Sequence, residues 1–175
     1  THFKRGILMS KTKTHELILM GMLTGILFMG QVLLAFLPNV EIVTLLILLY
    51  TLIFGRKVFL MIYVFVLMEG IFYGFGLWWI NYLYVWSILA IVVLFFDQQR
   101  VPLFWSTVAG FFGLAFGALC ALPYFFIGGP AAAFSYWIAG IPYDITHCIG
   151  NAVLCLVLFK PSYYILSRLH MRMLE

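Results

Sequence analysis

An acid, an imidazole and an amide interrupt an apolar run at Gly140-Ile141-Pro142-Tyr143-Asp144-Ile145-Thr146-His147-Cys148-Ile149-Gly150-Asn151. On a helix, Asp144, His147 and Asn151 fall at i, i+3 and i+7, so their side chains leave one face and can converge on a common partner. Trp137 and Gly140 extend the stripe. Asp144 and His147 have the right types for an acid–base pair or for two metal ligands. Two residues at that spacing are a weak motif, and a structural pair bonded between helices is the commoner outcome. No catalytic residue and no metal site is expected. Pro142 lacks an N–H and would clash with the carbonyl of Ile138, which predicts a kink or a helix that becomes regular only there.

Glu69 stands in a second apolar run, with Tyr73 four residues on. A carboxylate in hydrocarbon is costly unless paired, protonated or facing water, so Glu69 is either part of a site or a neutral acid bonded to a neighbouring helix. Next comes the aromatic run Leu77-Trp78-Trp79-Ile80-Asn81-Tyr82-Leu83-Tyr84-Val85-Trp86. Trp79, Tyr82 and Trp86 share a helical face and read equally as pocket wall or interfacial belt, whereas Trp78 and Tyr84 read as belt. Glu41 is expected to be solvated where the second helix opens, an acid at the positive end of the dipole, with a lid contact as the alternative. The candidate solute-binding set is Glu69, Tyr73, Trp79, Tyr82, Trp86, Trp137, Asp144, His147 and Asn151.

These side chains need a frame suited to an apolar medium. The 175 residues are 65% hydrophobic and 9% charged, with a mean hydropathy of +1.11, more than a soluble domain of this length can hide. The expectation is an all-α membrane protein, a single domain over 1–175 with six transmembrane helices. They run about Glu16–Leu37, Val40–Phe54, Val58–Gly76, Tyr82–Phe96, Pro102–Ile127 and Phe134–Phe159. The second and fourth are short for a full span. All ten Lys and Arg fall before the first helix, after the second and fourth, or after the sixth. By the positive-inside rule both termini are then cytoplasmic, with cytoplasmic segments 1–15 and 160–175. The connections Pro38-Asn39, Leu77–Asn81 and Gly128–Ala133 face out. Glu41, Glu69, Asp144, His147, Asn81, Asn151 and Gln31 would gather in or near the outer half, as a polar pocket requires.

Cys120, Cys148 and Cys155 have neither disulfide-like nor zinc-like spacing. The net charge of +4 follows from the topology and gives no nucleic-acid signal. No removable signal peptide is expected. Gly21-x-x-x-Gly25 with Thr24, Gly70-x-x-x-Gly74, and Gly110, Gly113 and Gly117 make small faces suited to close helix packing, most of it internal. There is no G-x-x-x-x-G-K-[ST], H-E-x-x-H or G-x-S-x-G, and no evident inverted repeat of the kind a rocking transporter uses.

The Gly21-x-x-x-Gly25 face, Leu37-Pro38-Asn39-Val40-Glu41, Tyr73-Gly74-Phe75-Gly76-Leu77-Trp78-Trp79 and the Gly140–Asn151 run together resemble the substrate-binding S component of energy-coupling-factor (ECF) vitamin transporters. The resemblance covers nearly the whole chain and is strongest for the cobalamin-type group. Gly21 and Gly25 stand where alanines are common in the family. The resemblance implies a subunit of the bacterial cell membrane that captures a vitamin from outside and is itself no enzyme. An ECF transmembrane scaffold and two ATP-binding-cassette ATPases would supply the energy, with ATP used by those partners and no cofactor bound covalently here. It further implies that the S component tilts bodily to deliver its ligand, with Gly21, Thr24 and Gly25 meeting the scaffold. The transported ligand would be cobalamin or a corrinoid precursor such as cobinamide, or alternatively a smaller heterocycle of pyrimidine, pterin or deazapurine type. Cobalt or nickel uptake is disfavoured, because related metal-binding components use an outward N-terminus and His2 is expected inside. Two readings compete: an intramembrane enzyme using Asp144 and His147, and a structural membrane partner.

Overall fold

The computed structural model describes the backbone of residues 2–37 and 40–174 and the side chains of 14–37 and 40–173. The expected Pro38-Asn39 connection lies outside the described residues, as do the side chains of His2, Lys4, Arg5, Lys11 and Lys13. Among the described residues there is helix and no strand. The helices are α1 (His2–Leu34), α2 (Val43–Phe54), α3 (Val58–Tyr73), α4 (Leu77–Phe95), α5 (Pro102–Cys120) and α6 (Leu122–Leu174), with a 3-10 turn Gly55–Lys57 between α2 and α3. Among the described residues, five helical stretches are long and apolar enough to cross a membrane: Thr14–Leu34, Val43–Tyr73, Leu77–Phe95, Pro102–Cys120 and Leu122–Met173. The outer faces are apolar too, with Phe36, Phe95 and Phe126 largely exposed, as lipid rather than water would favour.

Cross-helix contacts fix the chain's direction in each helix. Tyr50 donates its hydroxyl to the Leu23 carbonyl (3.1 Å), while a side chain at Gly30 would meet Ile42, so α2 runs back along α1. At Gly55 φ is +55°, a backbone that glycine adopts without strain, and there the chain reverses. Then α3 climbs beside α1: Lys57 pairs with Glu16 at its start (2.6 Å) and Phe72 meets Phe28 near its end. Gly74 (φ +86°) breaks α3, and α4 descends with Trp79 near Val66 and Ser87 near Tyr63. Pro102 opens α5 at the first helical position, where its missing N–H is no loss.

Gly129 (φ +75°) turns the chain back within α6, and Tyr124 stacks on Tyr136 across the turn (centroids 4.2 Å apart). From there α6 descends along α5, matching Gly117 with Asp144, Ser106 with Ala152 and Trp105 with Phe159. The expected outer connection Gly128–Ala133 is therefore helical apart from the reversal at Gly129. The helix also carries on through Pro142, where a kink or start was expected, and through Pro161. A proline removes one ladder bond, and here the neighbouring residues keep helical backbone. Further departures are that α1 begins well before Glu16 and that α4 begins at Leu77 rather than Tyr82, because Gly74 and Gly76 supply the break.

The core is apolar and aromatic, with Tyr50, Phe65, Trp86, Trp105 and Phe159 almost wholly buried. Gly110, Gly113 and Gly117 form the seam between α5 and α6. A Cβ on Gly113 would sit 2.8 Å from the His147 carbonyl oxygen, and one on Gly117 would strike the Asp144 carboxylate. Gly21 and Gly25 instead face open space, whereas Thr24 is buried and donates to the Met20 carbonyl (2.8 Å). The small face expected for docking thus comprises the two glycines without Thr24.

Candidate functional site

At the end of the bundle opposite Lys57, Arg100 and Lys160 lies an open cavity of about 430 Å³. Its wall comes from the end of α1 and the segment beyond it (Gln31, Leu34, Ala35, Leu37, Val40, Glu41), α3 (Glu69, Tyr73), α4 (Trp78, Tyr82, Trp86), α5 (Phe116) and α6 (His147). Five of the nine sequence-derived candidates line it: Glu69, Tyr73, Tyr82, Trp86 and His147.

The α4 wall is a ladder of rings. Trp78, Tyr82 and Trp86 follow one another at i, i+4 and i+8, packed edge to face at 5.3 and 5.4 Å. This arrangement suits ring quadrupoles and holds each ring in one orientation. Phe116 meets Trp86 at 5.6 Å and His147 at 4.9 Å, closing the wall toward α6. Trp78, read from sequence as interfacial belt, takes the place expected of Trp79. The Trp79 indole donates to the Val66 carbonyl (2.8 Å), and it approaches α3 closely because Gly70 has no side chain there.

Glu41, expected to be solvated, is half-buried and bonded. Its carboxylate accepts the Thr44 amide (2.8 Å) and the Thr44 hydroxyl, and lies 3.0 Å from His147 Nε2. Burial works against the charged carboxylate, but these bonds outweigh it and hold its pKa below the ordinary 4.5. Asn151 Nδ2 donates to Thr44 Oγ1 (3.1 Å), so His147 and Asn151 together tie α6 to the start of α2. Asp144 turns to α5, where its Oδ1 accepts the Gly117 amide at 2.9 Å.

Trp79, Asp144 and Asn151 therefore lie outside the cavity lining, each holding another helix. Trp137 lies outside it as well, on a separate apolar groove of about 230 Å³ within the hairpin at Gly129.

Two lining residues differ from the rest. Glu69 Oε1 and Trp86 Nε1 are buried with no hydrogen-bond partner, and both residues are 1% exposed. Buried polar atoms are nearly always paired, and of the four such open side-chain atoms among the described residues these two belong to the cavity lining, whereas Asp144 Oδ2 and His170 Nδ1 do not. Gln31 reaches Tyr82 only weakly, at 3.5 Å, and adds a further adaptable amide. Sequence reasoning missed Trp78 and Phe116 as wall residues, and Glu41 as a bonded one. Among the described residues no group of three or more His, Cys, Asp or Glu could hold a metal ion. The chain matches no protein-family model, no curated protein and no solved structure.

Proposed function

We propose that this chain is the solute-capturing membrane subunit of an ATP-driven importer, of the kind represented by ECF S components. The observation that carries the reading is the aromatic-walled cavity lined by Glu69 and Trp86, each of which holds a buried polar atom without a partner. Alternating chain directions support six membrane passes, and Arg56, Lys57, Arg100 and Lys160 gather at the end away from the cavity. By the positive-inside rule that end and both termini are cytoplasmic, and the cavity opens outward in a bacterial cell membrane.

The chain carries no nucleotide-binding loop, so an ECF scaffold and two ATPases supply the power stroke. Gly21 and Gly25, open on the surface of α1, are the contact offered to that scaffold. A volume of about 430 Å³ falls in the usual range for small-molecule pockets. It favours a small flat heterocycle over cobalamin or cobinamide, whose corrin ring and amide arms would stand largely outside it. The enzyme reading draws less support, because Asp144 and His147 bond to different helices and do not act on a shared point.

The test is co-expression with a scaffold and its two ATPases. The tagged chain is expected to purify with all three and to drive ATP-dependent solute uptake. Gly21→Trp with Gly25→Trp should abolish both while solute binding by the isolated chain persists. A chain that never associates with an ATPase-bearing scaffold, or uptake indifferent to ATP, would refute the importer reading.

A further inference from the structure

Resting on the reading of this cavity as a solute site, we propose that its solute is a flat nitrogen base with a cationic N–H edge, an amidine or protonated amino-heterocycle. That edge sits on Glu69, and the ring lies along the Trp78–Tyr82–Trp86 ladder.

The charges that face the cavity select the sign. Glu41 and Glu69 line it, and no Lys or Arg among the described residues does. The His147 ring nitrogen that could offset an acid is engaged with Glu41. Glu69 is left as a carboxyl with a buried oxygen that nothing in the protein satisfies. An anionic solute would meet the unpaired Glu69 and the Glu41–His147 pair, with no Lys or Arg among the described lining residues to receive it. An acceptor-only solute would leave the Glu69 oxygen as bare as before. A cationic donor satisfies that oxygen with a charge-assisted bond, the stronger kind of hydrogen bond.

The aromatic wall points the same way. Trp78, Tyr82 and Trp86 line the cavity, and indole and phenol rings attract cations through their quadrupoles, more strongly where water is excluded. The open Trp86 N–H asks the same solute for an acceptor elsewhere on its rim, as an unprotonated ring nitrogen provides.

The test uses three probes of nearly one size and shape that differ in the edge group: benzamidine (cationic donor), benzamide (neutral) and benzoate (anionic). Each is titrated into the purified full chain in detergent, read by tryptophan fluorescence and by melting temperature. Benzamidine is expected to bind about tenfold tighter than benzamide or better, with no saturable binding of benzoate. Glu69→Gln, which keeps the side chain's size, should bring benzamidine down to the benzamide level. Equal binding of all three, a preference for benzoate, no saturable benzamidine binding, or a benzamidine preference that survives Glu69→Gln would each overturn the proposal. If Glu69→Gln does not fold, the ranking in the unaltered chain decides alone. The assay needs no ATPase and no transport, so a cation-selective chain without importer partners would refute the importer and leave this inference standing, and a benzoate-selective importer would do the reverse.

Discussion

His147 on α6 and Glu69 on α3 are both nearly removed from solvent, both ionisable, and both border the same cavity, yet their bonding differs. His147 reaches Glu41 across the bundle, and its neighbours on the stripe, Asp144 and Asn151, reach Gly117 and Thr44. Glu69 has an oxygen that reaches nothing. The α6 stripe bonds helices together, with Asp144 Oδ2 as its one atom left without a partner, whereas the two open atoms of the α3–α4 wall, Glu69 Oε1 and Trp86 Nε1, belong to residues that line the cavity. Conspicuous polarity in a membrane sequence therefore does not by itself mark the ligand-binding residues, and the satisfied groups must be set aside first.

Substitutions can break or sharpen that contrast. His147→Ala should have the largest effect on stability, because it strips Glu41 of its cross-helix partner and opens a void beside Phe116. The loss is expected at about 3 kcal/mol, read as a fall in melting temperature in detergent. Gly113→Ala should follow, since its methyl group would press on the His147 backbone. A cost of about 2 kcal/mol is expected, seen by the same measurement. Asn151→Leu removes one neutral hydrogen bond to Thr44 while keeping the volume, and about 1 kcal/mol is expected.

The smallest effect is a pH dependence. Because the folded pKa of Glu41 lies below its unfolded value, its bonds stabilise the fold fully above that unfolded value, near 4.5. The contribution is lost as pH falls through the lower folded value. Melting temperatures taken downward from pH 6 should decline more steeply in the native chain than in Glu41→Gln. Parallel curves would mean that the Glu41 bonds add no pH-dependent stability.

Much of this frame is legible in the sequence, for identifiable reasons. Hydropathy and the charge clusters mark the apolar segments, and Gly55, Gly74 and Gly129 supply reversals close to where composition breaks. The ring ladder is half legible, because the run Trp78-Trp79 allows either tryptophan to share a face with Tyr82 and Trp86. The i, i+3 and i, i+4 spacings are both helical, and the choice was made by Gly70, which gives Trp79 room against α3. The fate of the α6 stripe was not legible. His147 meets Glu41 across 106 positions of chain, and only the packing of α2 against α6 brings the two together. No spacing rule reaches that far.

The most direct test of the central claim blocks the cavity and leaves its polar groups intact. Ala35 lines the cavity from beyond α1 and is exposed, so Ala35→Trp can fill the space without disturbing the core. In a melting-temperature screen against vitamins and flat heterocyclic precursors, at least one solute at a hundred times its dissociation constant should stabilise the native chain by about 2.7 kcal/mol. Ala35→Trp should lose that gain while melting, unliganded, at the native temperature. A native chain that no solute stabilises, or a gain undiminished in Ala35→Trp, would contradict the claim that this cavity is where the protein takes up its cargo.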